Sequence, residues 1–368
     1  MTPEGAGRWR VRADSRVGIL IGDGWELRIR PRLEVPRLMF LLAYAADHTG
    51  WRDVVAPVER ERDEVAAIAS AFVWHANRAL ERGPLRGYRR REERADTLRG
   101  RIRFADQIGR GAGLPIPLEI AYSDYTPDVL ENRMLLTAAS LLLRLPRVAP
   151  SARRRLLHVR SRLENVQLLR DWRGVRAPDR TRLNEHYRPA LVLAELVLRN
   201  LSISQETGEV EATTFVFDMN KVFEDFVTAA FTESMRRYGG TVRPQVGEQS
   251  LDTGSRLRLK PDIGWWDGTR CLALLDAKYK AIDDGLLRHG DAYQMLAYCV
   301  AYGLDRGYLV YAKDSGAEPR THVIRNGGQR IEVVTLDVEQ EPDVLLDQVR
   351  ALAVHVATGA RPVKAAAA

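Results

Sequence analysis

Residues 259–280 read LKPDIGWWDGTRCLALLDAKYK, and their pattern decides how the second half of the chain folds. Leu272 to Leu275 are apolar at consecutive positions, which marks a strand buried on both faces, and the run continues into Asp276 and Lys278. Side chains two apart on a strand leave the same face, so this carboxylate and this ammonium stand side by side. Ionised groups on such a strand are costly unless they bind something. A preceding strand over residues 256–263 carries Asp262 and is joined through a turn at Asp267-Gly268. A strict two-residue hairpin there sets Asp262 opposite Ala273, short of Asp276. Bringing the two carboxylates together therefore requires a bulge or a longer turn, expected near Pro261.

The flanks continue the layout. FVFDMNKVFEDFVTAAFTESMRRYGG predicts an amphipathic helix from about Asn220, with Phe223, Phe226, Val227, Ala230, Phe231 and Met235 on one face and Gly239-Gly240 as its stop. Strands over 271–279, 308–312 and 331–336, with a helix over 287–302 between the first two, make an α/β arrangement with a mixed sheet. Upstream, VGILI (17–21) and WELRI (25–29) around Gly22-Asp23-Gly24 form a hairpin signal. Helices follow over 36–46 and 54–80. The Arg-dense stretch 85–103, LRGYRRREERADTLRGRIR with Tyr88, reads first as a solvated loop or helix face and second as a nucleic-acid contact. Thr126-Pro127-Asp128 reads as a helix start with a hydroxyl N-cap, and further helices cover 151–169 and 186–198. SISQETGEVEAT (202–213) is the linker candidate, giving an N-terminal domain 1–205, β-rich and then helical, and a second domain 206–368.

Charge follows the same division. Of the 368 residues, the first 200 hold 37 Arg and 25 Asp plus Glu, net +12, whereas the remainder hold 19 basic and 24 acidic residues, net −5. The basic half suits a polyanion or an acidic protein surface. Only six Lys occur (221, 260, 278, 280, 313 and 364) against 50 Arg, so a retained Lys marks a place where a compact ammonium is needed.

Several classes are excluded. The longest apolar run is nine residues, 38–46, where a membrane helix needs about 20. No secretory signal opens the chain, and Cys271 and Cys299 have no metal-type spacing, which places the protein in a reducing cytoplasm. The seven His are scattered, with no H-E-x-x-H and no G-x-S-x-G. No Gly-Lys pair exists, so there is no phosphate-binding P-loop, and the Gly109–Gly113 run is a loop. If a nucleotide drives this protein's activity, another chain binds it.

Two carboxylates converging at a sheet with a lysine beside one can form a magnesium (or manganese) site. A metal-bound water there attacks a phosphodiester, and Lys278 orients that water or stabilises the transition state. The order PD, then D-A-K at the end of an apolar strand, resembles the PD-(D/E)xK nuclease superfamily. Glu224, on the helix before the hairpin, matches the additional acidic metal ligand of RecB-like members, and Gln294 with Tyr298 in DAYQMLAY matches their Q-x-x-x-Y element. Together with TPDVLENRMLL, these motifs resemble the McrC family over residues 126–312. That resemblance implies a restriction-endonuclease-like C-terminal domain with Asp262, Asp276 and Lys278 as the catalytic triad, assisted by Glu224, Gln294 and Tyr298. It implies the nuclease subunit of an McrBC-like anti-phage restriction system that cuts double-stranded, sometimes modified, DNA. It also implies a ring-forming McrB-like AAA+ GTPase or ATPase as partner, contacted through the first 100 residues. The rivals are an idle adaptor that stimulates a partner NTPase and a RecB-like repair nuclease.

Overall fold

The computed structural model describes residues 2–5, 8–10, 15–22, 25–55, 64–109, 116–145, 148–172, 174–205, 211–247, 249–279, 289–313 and 320–360. The chain divides into two compact units, one of residues 1–64 and 203–368, the other of residues 65–202. Residues 1–64, expected in an N-terminal domain ending at 205, therefore belong with residues 203–368. A long-range strand pairing accounts for the difference.

The first unit opens with a ribbon of β1 (Thr2–Gly5) and β2 (Arg8–Arg10). β3 (Arg16–Gly22) and β4 (Trp25–Ile29) then form the hairpin read from VGILI and WELRI, pairing Gly18 with Ile29 through Gly22 with Trp25. Asp23 and Gly24 of its expected turn lie outside the described residues. α1 (Val35–Ala46) begins with Pro36 in its first turn, where the missing N–H costs nothing. α2 (Trp51–Val55) follows, and Trp51 stacks edge-on to Phe40 of α1.

The second unit contains α3 (Glu64–Leu80), the later part of the helix expected over 54–80, with residues 56–63 outside the described set. The stretch expected as a loop or helix face is instead β5 (Gly87–Ala95). β6 (Arg101–Ile102), α4 (Phe104–Ile108) and β7 (Leu118–Thr126) come next, and the sheet order is β5-β7-β6. Alternation along β5 lets its arginines meet carboxylates: Arg91 meets Asp124 at 3.0 Å, Arg94 meets Glu119 at 2.8 Å, Arg90 meets Glu92 at 3.0 Å, and Arg89 meets Asp128.

The helix expected to be capped by Thr126 starts later, as α5 (Leu130–Leu142). Thr126 Oγ1 still accepts from the Asp128 N–H at 3.2 Å, and the buried Asp128 carboxylate accepts from Arg133 Nε at 2.7 Å and Nη2 at 2.6 Å and from the Gln167 N–H at 2.9 Å. α6 (Pro150–Arg162) and α7 (Arg188–Asn200) complete the unit, α6 stopping short of Leu169.

Strands take up both ends of the expected linker, whose residues 206–210 lie outside the described residues: β8 (Leu201–Gln205) precedes them and β9 (Glu211–Asp218) follows, and β9 pairs antiparallel with β3 from Asp218 opposite Arg16 to Thr213 opposite Ile21. The sheet order is β4-β3-β9-β8. Asp218 then caps α8 (Met219–Met235), accepting from the Asn220 N–H at 3.0 Å. Gly239 and Gly240 after it take φ of 74° and 71°, a conformation that suits residues without Cβ.

A six-stranded sheet follows, built from β10 (Thr241–Pro244), β11 (Ile263–Asp267), β12 (Arg270–Lys278), β13 (Arg306–Ala312), β14 (Arg320–Val323) and β15 (Arg330–Leu336) in the order β10-β11-β12-β13-β15-β14. β12, β13 and β15 run parallel at its centre and the remaining pairs are antiparallel, so the sheet is mixed as expected. α9 (His289–Tyr302) packs on one face, where Leu274, Met295, Cys299, Leu309, Tyr311 and Ile331 form the core. Full burial of each such side chain stabilises by about 1.5–3 kcal/mol. α8 lies on the other face, with Phe223 against Tyr279 of the opposite strand parity. α10 (Pro342–Ala360), which the sequence reading omits along with β14, contacts α8 and β15.

Candidate active site

The hairpin register is what brings the two carboxylates together. β11 begins only at Ile263, so Trp265 and Trp266 are strand residues and residues 256–262 are largely irregular, unlike the strand expected there. The turn falls one residue later than expected, with Asp267 paired to Arg270. The required bulge exists, but at Trp265/Trp266, where Leu272 is the extra residue between partners Cys271 and Ala273. Together these shifts set Ile263 opposite Leu275, so the next position outward places Asp262 beside Asp276. Asp262 Oδ2 accepts from the Ala277 N–H at 2.9 Å, which pins its carboxyl across the strand end.

Asp276 is 1% exposed. Lys278 Nζ lies 2.5 Å from its Oδ2, a charge-assisted contact that sets the ammonium against this sealed oxygen. Gln294 Oε1 accepts from Lys278 Nζ at 3.3 Å, and Tyr298 OH donates to the Lys260 carbonyl at 3.1 Å. The face of α9 carrying Gln294 and Tyr298 thus closes over the end of β12, as their i, i+4 spacing requires.

Electrostatics at this point are strained in one direction. Burial, followed by the Asp276 and Glu224 charges, pushes the Asp262 carboxyl up to about 7. Burial also raises Asp276, with Asp291 adding to it and Lys278 opposing. For Lys278, burial works against the charge, but Asp276, Asp262 and Asp291 outweigh it and hold the ammonium above the ordinary lysine range. Lys278 is therefore a charged donor at neutral pH and no proton acceptor.

Glu224 stands apart from this pair: its Oε1 accepts from Lys221 Nζ at 2.9 Å and from Gln245 Nε2 at 3.1 Å. Among the described residues no three His, Cys, Asp or Glu close into a ligand set. What the residues do fit is a hard cation held by Asp262 and Asp276 with water and substrate oxygens completing its shell: the two carboxylates are buried, and each raises the other's cost of ionisation until a positive charge joins them.

Sequence reasoning missed Asp291, Gln245 and Lys221. Asp291 is buried, accepts from Tyr311 OH at 2.8 Å and adds negative charge behind Asp276. Its signal was available, since 291, 294 and 298 are i, i+3 and i+7 on one helical face. Lys221 had the same signal, standing i, i+3 before Glu224 on α8, whereas Gln245 carries no such spacing.

The profile of the McrBC 5-methylcytosine restriction system component family matches residues 11–312. The chain belongs to that family. The resemblance to McrC read from the PD, DAK and QxxxY motifs is thereby borne out. This McrBC component is also similar in fold to a structure described as a half-complex from a tetradecameric assembly of Thermococcus gammatolerans McrB AAA+ hexamers with bound McrC, at 18% identity and TM-score 0.58, covering 94% of this chain and 83% of that one. A second structure, of the Thermococcus gammatolerans McrBC complex, is matched at 21% identity and TM-score 0.38 over 61% of this chain and 68% of that one. No curated protein matches the sequence.

Proposed function

We propose that this chain is the metal-dependent endonuclease subunit of an McrBC-type restriction system, hydrolysing DNA phosphodiester bonds through a PD-(D/E)xK-like centre when engaged by an McrB-like AAA+ GTPase or ATPase. The observation that carries the proposal is the Asp262–Asp276 pair with Lys278 2.5 Å from Asp276, at a strand end that burial alone would not tolerate. Asp262 and Asp276 would hold a magnesium or manganese ion, which when bound would supply charge neutralisation at the scissile phosphate and a more acidic water. Lys278, always protonated, donates to the non-bridging oxygen on which charge grows as water adds to phosphorus and the bridging P–O bond breaks. Gln294 orients the ammonium, Tyr298 ties α9 to the loop bearing Lys260, and Glu224 sets the field around Asp262 from α8. An idle adaptor would not need these polar partners gathered around one half-buried lysine, which favours the nuclease reading over the adaptor.

The AAA+ ring reading rests on family membership and on the McrB hexamers of the similar structure. The excess of acids in residues 201–368 repels DNA phosphate, so cutting is expected to need the partner. The test is plasmid cleavage by the reconstituted complex. Asp276→Asn should abolish cutting and leave stimulation of the partner NTPase intact. Cutting by the variant overturns the nuclease assignment, and a wild type that only stimulates the NTPase, with either metal, establishes the adaptor instead.

A further inference from the structure

α6 contains no acidic residue in PSARRRLLHVRSR and carries five arginines. Two are used inside the unit: Arg153 donates to the Leu143 carbonyl after α5 at 2.9 Å, and Arg162 donates to the Leu80 carbonyl that ends α3. Arg154, Arg155 and Arg160 are exposed and, among the described residues, meet no carboxylate or carbonyl. That sets α6 apart from β5, where Arg89, Arg90, Arg91 and Arg94 each meet an acid. Arg154 and Arg155 also lie near the helix N-terminus, where the backbone dipole disfavours cations. Like charges packed there without a counter-charge are a standing cost that an external anion relieves.

The neighbouring surface fits such an anion. Trp74 of α3 is 41% exposed, with the Arg78 guanidinium 5.3 Å over its ring. Trp74, Asn77, Arg78, Glu81 and Arg155 line an open groove of about 560 Å³. Arg154 to Arg160 spans about 9 Å at 1.5 Å per residue, and duplex DNA presents a phosphate about every 3.4 Å of axis on each strand. At about 100° per residue Arg154 stands on the crest of α6 with Arg155 on the flank toward Trp74 and Arg160 on the other flank, so one small anion would engage one arginine, whereas the wider backbone of a duplex laid along the helix reaches all three, with Trp74 as an apolar flank for deoxyribose.

We propose that the exposed arginines of α6, with Trp74 and Arg78 of α3, form a surface that holds the phosphate backbone of duplex DNA and is separate from the carboxylate centre. The proposal rests on DNA being the substrate and assigns a grip outside the cleavage residues.

Full-length Asp276→Asn protein, which binds without cutting, is compared with the same protein carrying Arg154→Ala, Arg155→Ala and Arg160→Ala, using a fluorescent duplex over a salt series. The triple change should weaken binding at low salt at least about tenfold and flatten the log–log salt slope by about 0.9 for each phosphate that is no longer neutralised. Arg90→Ala, removing an arginine that already has an acid, should leave the slope unchanged. Thermal melting checks the fold, and the triple Arg→Lys protein, which keeps the charges, should keep the slope. Unchanged slope and affinity in the triple Ala protein, or no duplex binding by the parent at low salt, overturns the proposal. Normal DNA binding with loss of the AAA+ partner overturns it too and gives the face to an acidic protein surface. Since the readout is affinity, these failures are distinct from cleavage by Asp276→Asn, which would sink the nuclease assignment alone.

Discussion

Replacing Asp262 by Asn should make the metal-free protein more stable, and only at higher pH. In the folded protein the Asp262 carboxyl is pushed from 3.8 up to about 7, by burial first and by Asp276 and Glu224 next. Between those two values the folded chain binds a proton that the unfolded chain has released, so stability falls as pH rises across the window and the full penalty is present above pH 7. At 1.36 kcal/mol per pH unit the displacement corresponds to about 4 kcal/mol, an upper figure because neighbouring carboxylates share the proton. Asn is isosteric, and its carbonyl oxygen can still accept from Ala277 N–H, so the substitution removes the charge and keeps the geometry. Urea unfolding in chelator at about pH 8 should show Asp262→Asn more stable than wild type by roughly 1–4 kcal/mol, with the difference vanishing near pH 4. Adding magnesium should then stabilise wild type and leave the variant almost unmoved. A variant less stable than wild type under the alkaline condition, or a gain independent of pH, would refute the account of opposed buried carboxylates.

Three further outcomes are expected. Lys278→Arg should lose nearly as much cleavage as Lys278→Ala, because the planar guanidinium does not fit the single position beside Asp276 and Gln294; retention of most activity in single-turnover assays would contradict this. Gly18→Ala should destabilise by about 3 kcal/mol or more in denaturant titration, since φ is 136° and a Cβ would stand 2.1 Å from the Phe215 carbonyl oxygen; wild-type stability would mean that β3 and β9 do not pair as described. Asp128→Ala should cost about 3–5 kcal/mol at neutral pH by leaving Arg89 and Arg133 without their buried partner. Burial alone would raise Asp128, but Arg133 and the Gln167 N–H outweigh it and hold the carboxyl below 3.8, so its stabilisation is present above about pH 4 and lost on acidification below it. An Asp128→Ala loss that persists unchanged in acid would refute that assignment.

The parts of the site that were legible in sequence are those set by local period. Asp276 and Lys278 share a face because strands repeat every two residues, and Gln294 and Tyr298 share one because helices repeat near four. The conflict between hairpin count and carboxylate alignment even required a bulge, although not its place at Trp265/Trp266. Features set by distant partners were not legible. SISQETGEVEAT has the composition of a linker, and only Val17 to Ile21, far upstream, turn its end into a central strand. The arginines of β5 look like a polyanion contact until Asp124, Glu119 and Asp128 stand opposite them. Asp128 was read as a helix-start acid, whereas its carboxylate serves as a buried anchor for side chains and a backbone N–H far along the chain.

The pairing of β3 with β9 also sets a schedule for synthesis. When β3 leaves the ribosome, β4 follows at once to pair with one of its edges, while the other edge waits for residues 213–218. At roughly 5–20 residues per second, the roughly 190 intervening residues take about 10–40 s. Residues 65–202 emerge complete in that interval and can collapse on their own, while the edge of VGILI, whose Val17 and Ile19 end up buried, stays open to any strand that reaches it first. The last pairing β3 makes is thus with a segment translated far later, and nascent chains stalled before residue 213 would be the ones that aggregate.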